Sequence, residues 1–171
     1  MNNPLLIQLI GAIGYSLLAI SYFKKEKRQI LFMQIIAYIF FSVHYYFLNG
    51  ITGAICNIIG LIALVTIYLF EKYKLKNKSL IAILFIISII VINIITFQNI
   101  FSIFPMIASS IVILSFLIDD ENIIRIIGIV AALCWLIYAI VYKSYSAIIF
   151  EVIILINASA SLLKNTPKKK R

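Results

Sequence analysis

The chain has 171 residues, of which 64% are hydrophobic, and its mean hydropathy is +1.11. Soluble globular proteins are about half apolar, so this excess excludes a water-soluble fold and predicts that lipid surrounds most of the chain. The net charge of +9 would suggest nucleic acid in a soluble protein, but the basic residues lie almost entirely between the apolar stretches and at the C-terminus. They therefore indicate membrane topology, and we expect no nucleic-acid partner.

Seven apolar stretches are each long enough to cross a bilayer as a helix, which takes about 20 residues. They are residues 5–23, 30–48, 51–70, 79–97, 100–118, 123–142 and 146–163. These stretches lack the alternation of β-strands, and the short polar breaks between them leave no room for a soluble domain. The predicted fold is therefore an all-α polytopic membrane protein with seven transmembrane helices.

The basic residues also predict how the helices are oriented. If the N-terminus is outside, all of the 15 Lys and Arg residues except Lys143 lie on the cytoplasmic side. Loops on that side are normally rich in basic residues. We therefore predict a multi-pass protein of the bacterial inner membrane, with its N-terminus outside and a basic tail, residues 164–171, in the cytoplasm.

An internal repeat with an offset of 94 residues relates the first three apolar stretches to the last three. The informative pairs are Phe41 with Trp135, His44 with Tyr138, and Asn57 with Glu151. Residues 5–70 thus correspond to residues 100–163, and the stretch 79–97 has no counterpart. A single linker helix keeps both units parallel, so we predict two parallel three-helix repeats joined by a linker (3+1+3). Substrates of such proteins bind between the repeats, near the membrane midplane.

Glu151 is the acidic residue that this arrangement places inside the membrane, because the other acidic residues lie in the polar breaks. An ionisable group in a membrane span is energetically costly and therefore indicates function. A protonated Glu151 could carry a proton through an alternating-access cycle. Alternatively, it could be structural, pairing with His44 or reaching toward Lys143. At ~1.5 Å per residue, Glu151 lies about 8 Å and His44 about 6 Å from the outer ends of their helices.

Other polar or aromatic residues lie at similar depth, with Asn57 about 9 Å and Trp135 about 10 Å from the outer ends. We expect a cavity in the outer half of the membrane that opens to the outside in at least one state. The flat ring of Trp135 would stack on a sugar or a nucleobase, with core packing as the alternative. The amides would either line the site or join helices. The predicted substrate-binding residues are Glu151, His44, Asn57, Trp135, Phe41, Tyr138 and Asn157.

No motif in the sequence indicates catalysis or a bound cofactor. The glycines are isolated and form no phosphate-binding loop. The lone histidine, His44, cannot supply two haem ligands. Cys56 and Cys134 lie inside apolar spans without metal-ligand spacing, so we expect them to be buried as small apolar groups. We therefore predict no enzyme, no cofactor and no metal.

Short runs of the sequence resemble a known family, the YgjV-like bacterial inner membrane proteins, over nearly the whole chain. These runs are residues 43–50 followed by Asn57, and Cys134-Trp135 followed by Glu151 and Asn157. The 3+1+3 layout is also similar to that of the SWEET sugar transporters and the PnuC vitamin-precursor transporters. In SWEET proteins, asparagines on the third and seventh helices line the pocket. Asn57 matches the third-helix position, but the seventh helix carries Glu151.

The resemblance in layout implies a transporter, and the carboxylate at position 151 favours a cationic or proton-coupled solute over a neutral sugar. We therefore predict transport of a small polar solute, with a site between the repeats. The alternative is a structural or regulatory membrane protein in which Glu151 and His44 lock helix packing. The implied partners are the lipid bilayer and a small-molecule solute, and the sequence is compatible with a homo-oligomer.

Overall fold

The computed structural model describes residues 3–21, 27–73, 77–115, 117–118 and 120–165. Within these ranges the chain is helical and contains no strand, which confirms the predicted fold class. Residues 22–26, 74–76 and 166–171, which carry much of the basic charge used to predict topology, lie outside the described residues. The seven helices are α1 (Pro4–Ser21), α2 (Lys27–Phe47), α3 (Ile51–Lys72), α4 (Lys78–Ile95), α5 (Ile103–Ser115), α6 (Glu121–Val141) and α7 (Tyr145–Asn165).

The helices differ in how fully they meet the requirements of a membrane span. Among the described residues, Pro4–Ser21, Ile51–Phe70 and Ile123–Val141 are long and apolar enough to cross a bilayer. The other four helices contain shorter apolar segments. The fifth predicted span is divided, because a 3₁₀ turn at Ile100–Ser102 precedes α5 and leaves a helix of 13 residues. Pro105 lies in the first turn of α5, where its missing N–H is tolerated.

Large apolar side chains point out of the bundle, and small side chains fill the helix interfaces. Ile94, Ile95 and Ile156 are between 63% and 75% exposed. In lipid there is little hydrophobic drive between helices, so close approach of small residues provides much of the packing energy. Fully buried alanines mark these contacts: Ala37, Ala63, Ala82, Ala108, Ala139 and Ala147. The exposed isoleucines thus form the surface that lipid covers.

Six helices form a closed ring, in the order α1, α2, α3, α5, α6, α7 and back to α1. Helix α4 lies outside this ring, against α3 and α5. Asn93 of α4 donates a hydrogen bond from Nδ2 to the Ser102 carbonyl at 2.8 Å, which attaches the helix to the start of α5. The arrangement places the interior of the ring between the first three helices and the last three.

The two ends of the ring differ in the length and charge of their connections. At one end, called the turn end, the chain turns tightly at residues 48–50 and 142–144 and runs from α4 to α5 through residues 96–102. Asn49 (φ 61°) and Lys143 (φ 52°) adopt the left-handed conformation that such turns require. At the other end, called the basic end, helices α1, α3, α5 and α7 finish. Lys72 is the last residue of α3 there.

Contacts between the two halves follow the offset of 94 residues. Asn49 and Lys143, the left-handed residues of the two tight turns at the turn end, differ by this number (49 + 94 = 143). Thr52 Oγ1 of α3 donates to the Thr96 carbonyl at 2.9 Å and lies 3.2 Å from Ser102 Oγ. Ser146 Oγ of α7 donates a hydrogen bond to Gln8 Oε1 at 3.4 Å. Adding 94 to 52 and 8 gives 146 and 102. This one contact between α3 and the turn before α5 therefore uses positions equivalent to those of the contact between α7 and α1.

Candidate functional site

A cavity of about 430 Å³ lies inside the ring, bounded by α1, α2, α5, α6 and α7. This volume is within the range of about 300–1,000 Å³ that is usual for small-molecule sites. The polar and aromatic side chains that line it are Tyr15, Gln34, Tyr38, Phe41, Ser115, Trp135 and Glu151. Three of the predicted site residues, namely Phe41, Trp135 and Glu151, are thus brought together.

Helical spacing explains why these side chains share one surface. Gln34, Tyr38 and Phe41 stand at i, i+4 and i+7 on α2, which is one face of the helix. On α6, Gly128 and Trp135 are separated by the same seven residues, with Ala131 between them. A Cβ built on Gly128 would meet no atom within 4 Å. The small residues of α6 therefore leave the space that forms the cavity.

Glu151 lies at the end of this cavity that is nearer the turn end. Counted from Tyr145 at ~1.5 Å per residue, it is about 9 Å from the turn end. The residue is 5% exposed, and its Oε1 accepts a hydrogen bond from the Tyr15 hydroxyl at 3.3 Å. The Tyr45 hydroxyl, on a side chain that is 1% exposed, makes no hydrogen bond with any described residue. A carboxylate and two tyrosine hydroxyls are thus gathered at a buried point.

Aromatic rings surround the carboxylate. The rings of Tyr15 and Phe41 are 4.5 Å apart between centroids, and those of Tyr38 and Phe41 are 6.1 Å apart. Trp135 lies 5.5 Å from the ring of Tyr45 and packs against all three clusters of buried apolar residues. Such spacings are typical of favourable aromatic pairs. The cavity wall beside Tyr15 and Glu151 is therefore largely aromatic.

The cavity extends from Glu151 toward the basic end. Along α6 its lining runs from Trp135 back to Ile124, which is exposed and close to the start of the helix. This span covers about 16 Å at ~1.5 Å per residue. Ser115, the last residue of α5, lies at the same end. The sequence predicted a cavity that opens to the outside in at least one state; in this structure the cavity lining runs from Glu151 toward the basic end.

Hydrogen bonds join α1, α2 and the start of α7 at the turn end, between Glu151 and that end of the ring. His44 is fully buried, with Nδ1 2.8 Å from the Ile7 carbonyl and Nε2 2.6 Å from Ser144 Oγ. Gln8 donates from Nε2 to the Lys143 carbonyl at 2.8 Å and accepts from the Ser146 backbone N–H at 3.2 Å. We call these residues, His44, Ser144, Gln8 and Ser146, the turn-end network. Both ring nitrogens of His44 are engaged, so it forms no pair with Glu151.

The other predicted site residues lie away from the cavity. The Tyr138 hydroxyl accepts a hydrogen bond from the Gly53 backbone N–H at 3.0 Å, which joins α6 to α3. Asn57 is buried, and its Nδ2 donates to the Gly53 carbonyl of its own helix at 2.9 Å. Asn157 is exposed on α7. Tyr138 thus joins two helices, whereas the hydrogen bond of Asn57 stays within α3.

Tyr15, Gln34, Tyr38, Ser115 and Gly128 line the cavity but are not among the residues singled out from the sequence. The i, i+4, i+7 spacing from Gln34 to Phe41 was the available signal, since it places a polar group and two rings on one face of a span. Tyr15 offered no such signal, because its proximity to Glu151 depends on the packing of α1 against α7.

The glycines at the closed end have no room for a side chain, which gives a stability prediction. A Cβ on Gly11 would lie 2.4 Å from Ser146 Oγ, and one on Gly53 would lie 2.5 Å from Tyr138 Cε1. We expect Gly11→Ala and Gly53→Ala to lower the free energy of unfolding by about 1–3 kcal/mol through overpacking. Thermal unfolding of the purified variants measures this effect. Gly128→Ala is the control and should be neutral or stabilising; equal losses in all three would contradict the prediction.

Comparison with known proteins identifies one family. A family model, Imp-YgjV, described as a bacterial inner membrane protein, matches residues 5–169. This match confirms the resemblance inferred from residues 43–50 and from the Cys134-Trp135 run. No curated protein and no solved structure matches the chain.

Proposed function

We propose that this chain, which belongs to the Imp-YgjV family of bacterial inner membrane proteins, carries a small polar solute across that membrane by alternating access. The observation that carries the proposal is the cavity of about 430 Å³ inside the helix ring, which ends at the buried carboxylate of Glu151. A packing space in a membrane bundle would be lined by apolar groups, because a buried polar group without a partner is costly. Beside its apolar side chains, this cavity presents the carboxylate of Glu151 and the amide of Gln34, and at its end Ser115, whose hydroxyl donates to the Val112 carbonyl.

The closed turn end supports the assignment of one state of a transport cycle. Glu151 is separated from the turn end by the turn-end network, while the cavity reaches toward the basic end. Because the basic loops are expected in the cytoplasm, we propose that the structure is the inward-facing state. The N-terminus would then be outside and the C-terminus inside.

The equivalence of two interfaces supports a route to the opposite state. The α3–α5 and α7–α1 contacts use positions related by 94 residues and lie on the two sides of the ring interior. Parallel repeats can exchange access by rocking one unit against the other around a fixed site. We propose that residues 5–70 and 100–163 are these units, and that the turn-end network breaks when they rock.

One observation favours the structural alternative, and it concerns His44. Its two hydrogen bonds join α2 to α1 and to the start of α7, which is how a packing residue behaves. That role accounts for the closed end of the bundle. It does not account for Glu151, whose hydrogen-bond partner is Tyr15 and whose side chain faces the cavity. We therefore assign His44 to the turn-end network, which would act as a gate that opens and closes access to the cavity. We assign Glu151 to the solute site, and no catalytic role to either residue.

Accessibility of single cysteines tests the proposal. In a chain with Cys56 and Cys134 replaced by alanine, we expect Ser115→Cys and Gly128→Cys to react with a membrane-impermeant maleimide in inverted membrane vesicles. Both positions line the cavity, and maleimides react with thiolates that water reaches. Thr52→Cys, buried at the turn end, should stay unreactive from either side. Reaction rates measured by mass spectrometry give the result.

Val130→Cys is the matched control. Val130 is 42% exposed on the side of α6 that faces away from the ring, and it should face lipid. If Gly128→Cys reacts no faster than Val130→Cys, the cavity is not open to water and the transport proposal is wrong. If Gly128→Cys reacts only in right-side-out preparations, the cavity is open but the proposed orientation is reversed.

A further inference from the structure

We propose that the cavity takes a small organic ammonium ion and that this cation and a proton exclude one another at Glu151. The inference deepens the proposed transport function and rests on it. It adds the chemical class of the solute and a reason for coupling its movement to that of a proton.

The described lining of the cavity contains one acidic group and no basic one. Glu151 is the acidic group among the described lining residues, and none of those residues is Lys, Arg or His. The titratable groups that face it are the hydroxyls of Tyr15 from α1 and Tyr45 from α2. His44 lies beyond Ser144 with both nitrogens engaged. A buried carboxylate without a cationic partner is costly, so it must either bind a proton or receive a cation from outside.

An aromatic surface lies in the same cavity as this carboxylate. Tyr15, Tyr38, Phe41 and Trp135 all line the same cavity as Glu151. Aromatic faces attract organic cations, and ammonium sites in proteins are often built from several rings. A hydrated metal ion would find few oxygen ligands here, because the rings near Glu151 are apolar except for the tyrosine hydroxyls. The lining therefore fits an alkylammonium better than Na⁺ or a neutral sugar.

The polar groups along the cavity fit a hydroxylated or amide-bearing tail on such a cation. Gln34 and Ser115 lie on the side of the basic end, separated from Glu151 by the rings of Tyr38 and Phe41. A solute with its ammonium group at Glu151 would direct its tail toward them. The volume of about 430 Å³ is sufficient for a solute of this kind.

The exchange of a proton for the cation balances in atoms and charge. The exchange starts from the protonated form of Glu151. Its carboxyl O–H bond breaks, the proton leaves to water in the cavity, and the electron pair stays on the oxygen. The carboxylate then faces the ammonium group without a covalent bond. Since one carboxylate neutralises one cation, the loaded and the protonated forms have the same net charge. The site can therefore change from facing one side of the membrane to facing the other in either form, in a cycle that exchanges protons for the cation.

The test uses the single tryptophan of the chain as a reporter, because Trp135 lines the cavity. The purified protein is titrated with choline chloride and with 3,3-dimethyl-1-butanol, in which a carbon atom replaces the charged nitrogen. We expect choline to change Trp135 fluorescence saturably and the neutral analogue to have no effect. Ionic strength is held constant with sodium chloride, which should itself have no effect.

The pH dependence gives a second readout on the wild-type protein alone. Protons compete with the cation, so the apparent affinity for choline should fall as the pH is lowered, by up to about tenfold per pH unit for one proton. An affinity that is constant or rises on acidification between pH 5 and pH 9 would overturn the competition at Glu151.

Two variants complete the experiment. Glu151→Gln keeps the shape of the side chain and removes the charge, and we expect choline binding to weaken by at least about thirtyfold. Asp120→Asn makes the same chemical change at an exposed position outside the cavity and should bind choline as the wild type does. If the neutral analogue binds as well as choline, or a sugar binds and choline does not, the ammonium assignment is wrong while the transport proposal stands. If cysteine accessibility shows no water-filled cavity, both proposals fail.

Discussion

Gly128→Phe is expected to abolish solute binding without unfolding the protein. The glycine lines the cavity, and a Cβ there meets no atom within 4 Å, so a ring can enter the space without displacing the backbone. Glycine inside a helix is also unfavourable by about 0.5–1 kcal/mol relative to alanine, so removing it offsets part of any strain. We expect the free energy of unfolding to change by less than about 1 kcal/mol and the ligand response to disappear.

The matched control for this prediction is Val130→Phe, which adds a ring two residues away on the outer surface of the same helix. It should leave both stability and binding unchanged. If Gly128→Phe binds a solute with the affinity of the wild type, the cavity is not the binding site. Choline or any other solute found to bind serves as the probe, and the comparison is made by thermal shift and by Trp135 fluorescence.

His44→Ala is expected to open the turn end. The substitution removes two hydrogen bonds, to the Ile7 carbonyl and to Ser144 Oγ, each contributing about 1 kcal/mol. If these bonds exist only in the inward-facing state, their loss should increase the population of the opposite state by a factor on the order of thirty. The wild-type side chain is fully buried, so the variant should also lose about 2–5 kcal/mol of stability through the space it leaves.

Labelling of Ser146→Cys from the outside separates gating from simple destabilisation. Ser146 is buried in the turn-end network and should be unreactive while His44 is present. In the His44→Ala background it should react at temperatures well below unfolding. Tyr46→Ala removes a neighbouring side chain that is 59% exposed on the outside of α2, and it should not increase labelling. Labelling that rises only as the protein melts would show that His44 is a packing residue and not part of a gate.

The architecture was predictable from the sequence because membrane helices are read from length and apolarity. All seven helices begin and end within a few residues of the predicted bounds, except where Ile100–Ser102 forms a 3₁₀ turn before α5. The interior position of Glu151 was predictable for the same reason, since a lone acid within an apolar span must avoid lipid. Phe41 and Trp135 could be predicted to line the same cavity as Glu151, because the offset of 94 residues places them on equivalent helices at similar depth.

The composition of the site was less predictable, because it depends on which helices meet. A pair between His44 and Glu151 was the structural alternative, but His44 Nε2 lies 2.6 Å from Ser144 Oγ and contacts that hydroxyl in place of the carboxylate. Tyr15 approaches Glu151 only because α7 packs against α1, a contact between the two ends of the chain. The direction in which the cavity extends depends on how tightly the helices pack at the two ends of the ring, and no local sequence signal encodes that packing.

The most direct test of the central claim is thermal stability measured against a panel of amines, amino acids, nucleosides and sugars at several pH values. Wild type is compared with Glu151→Gln, Trp135→Ala and Gly128→Phe. A solute that binds only the native state raises the unfolding temperature in proportion to the logarithm of its concentration. A solute site predicts that at least one class, expected to be the amines, stabilises the wild type and none of the three variants. If no solute stabilises the wild type and Glu151→Gln alone unfolds the protein, then Glu151 is a structural lock and the transport function is wrong.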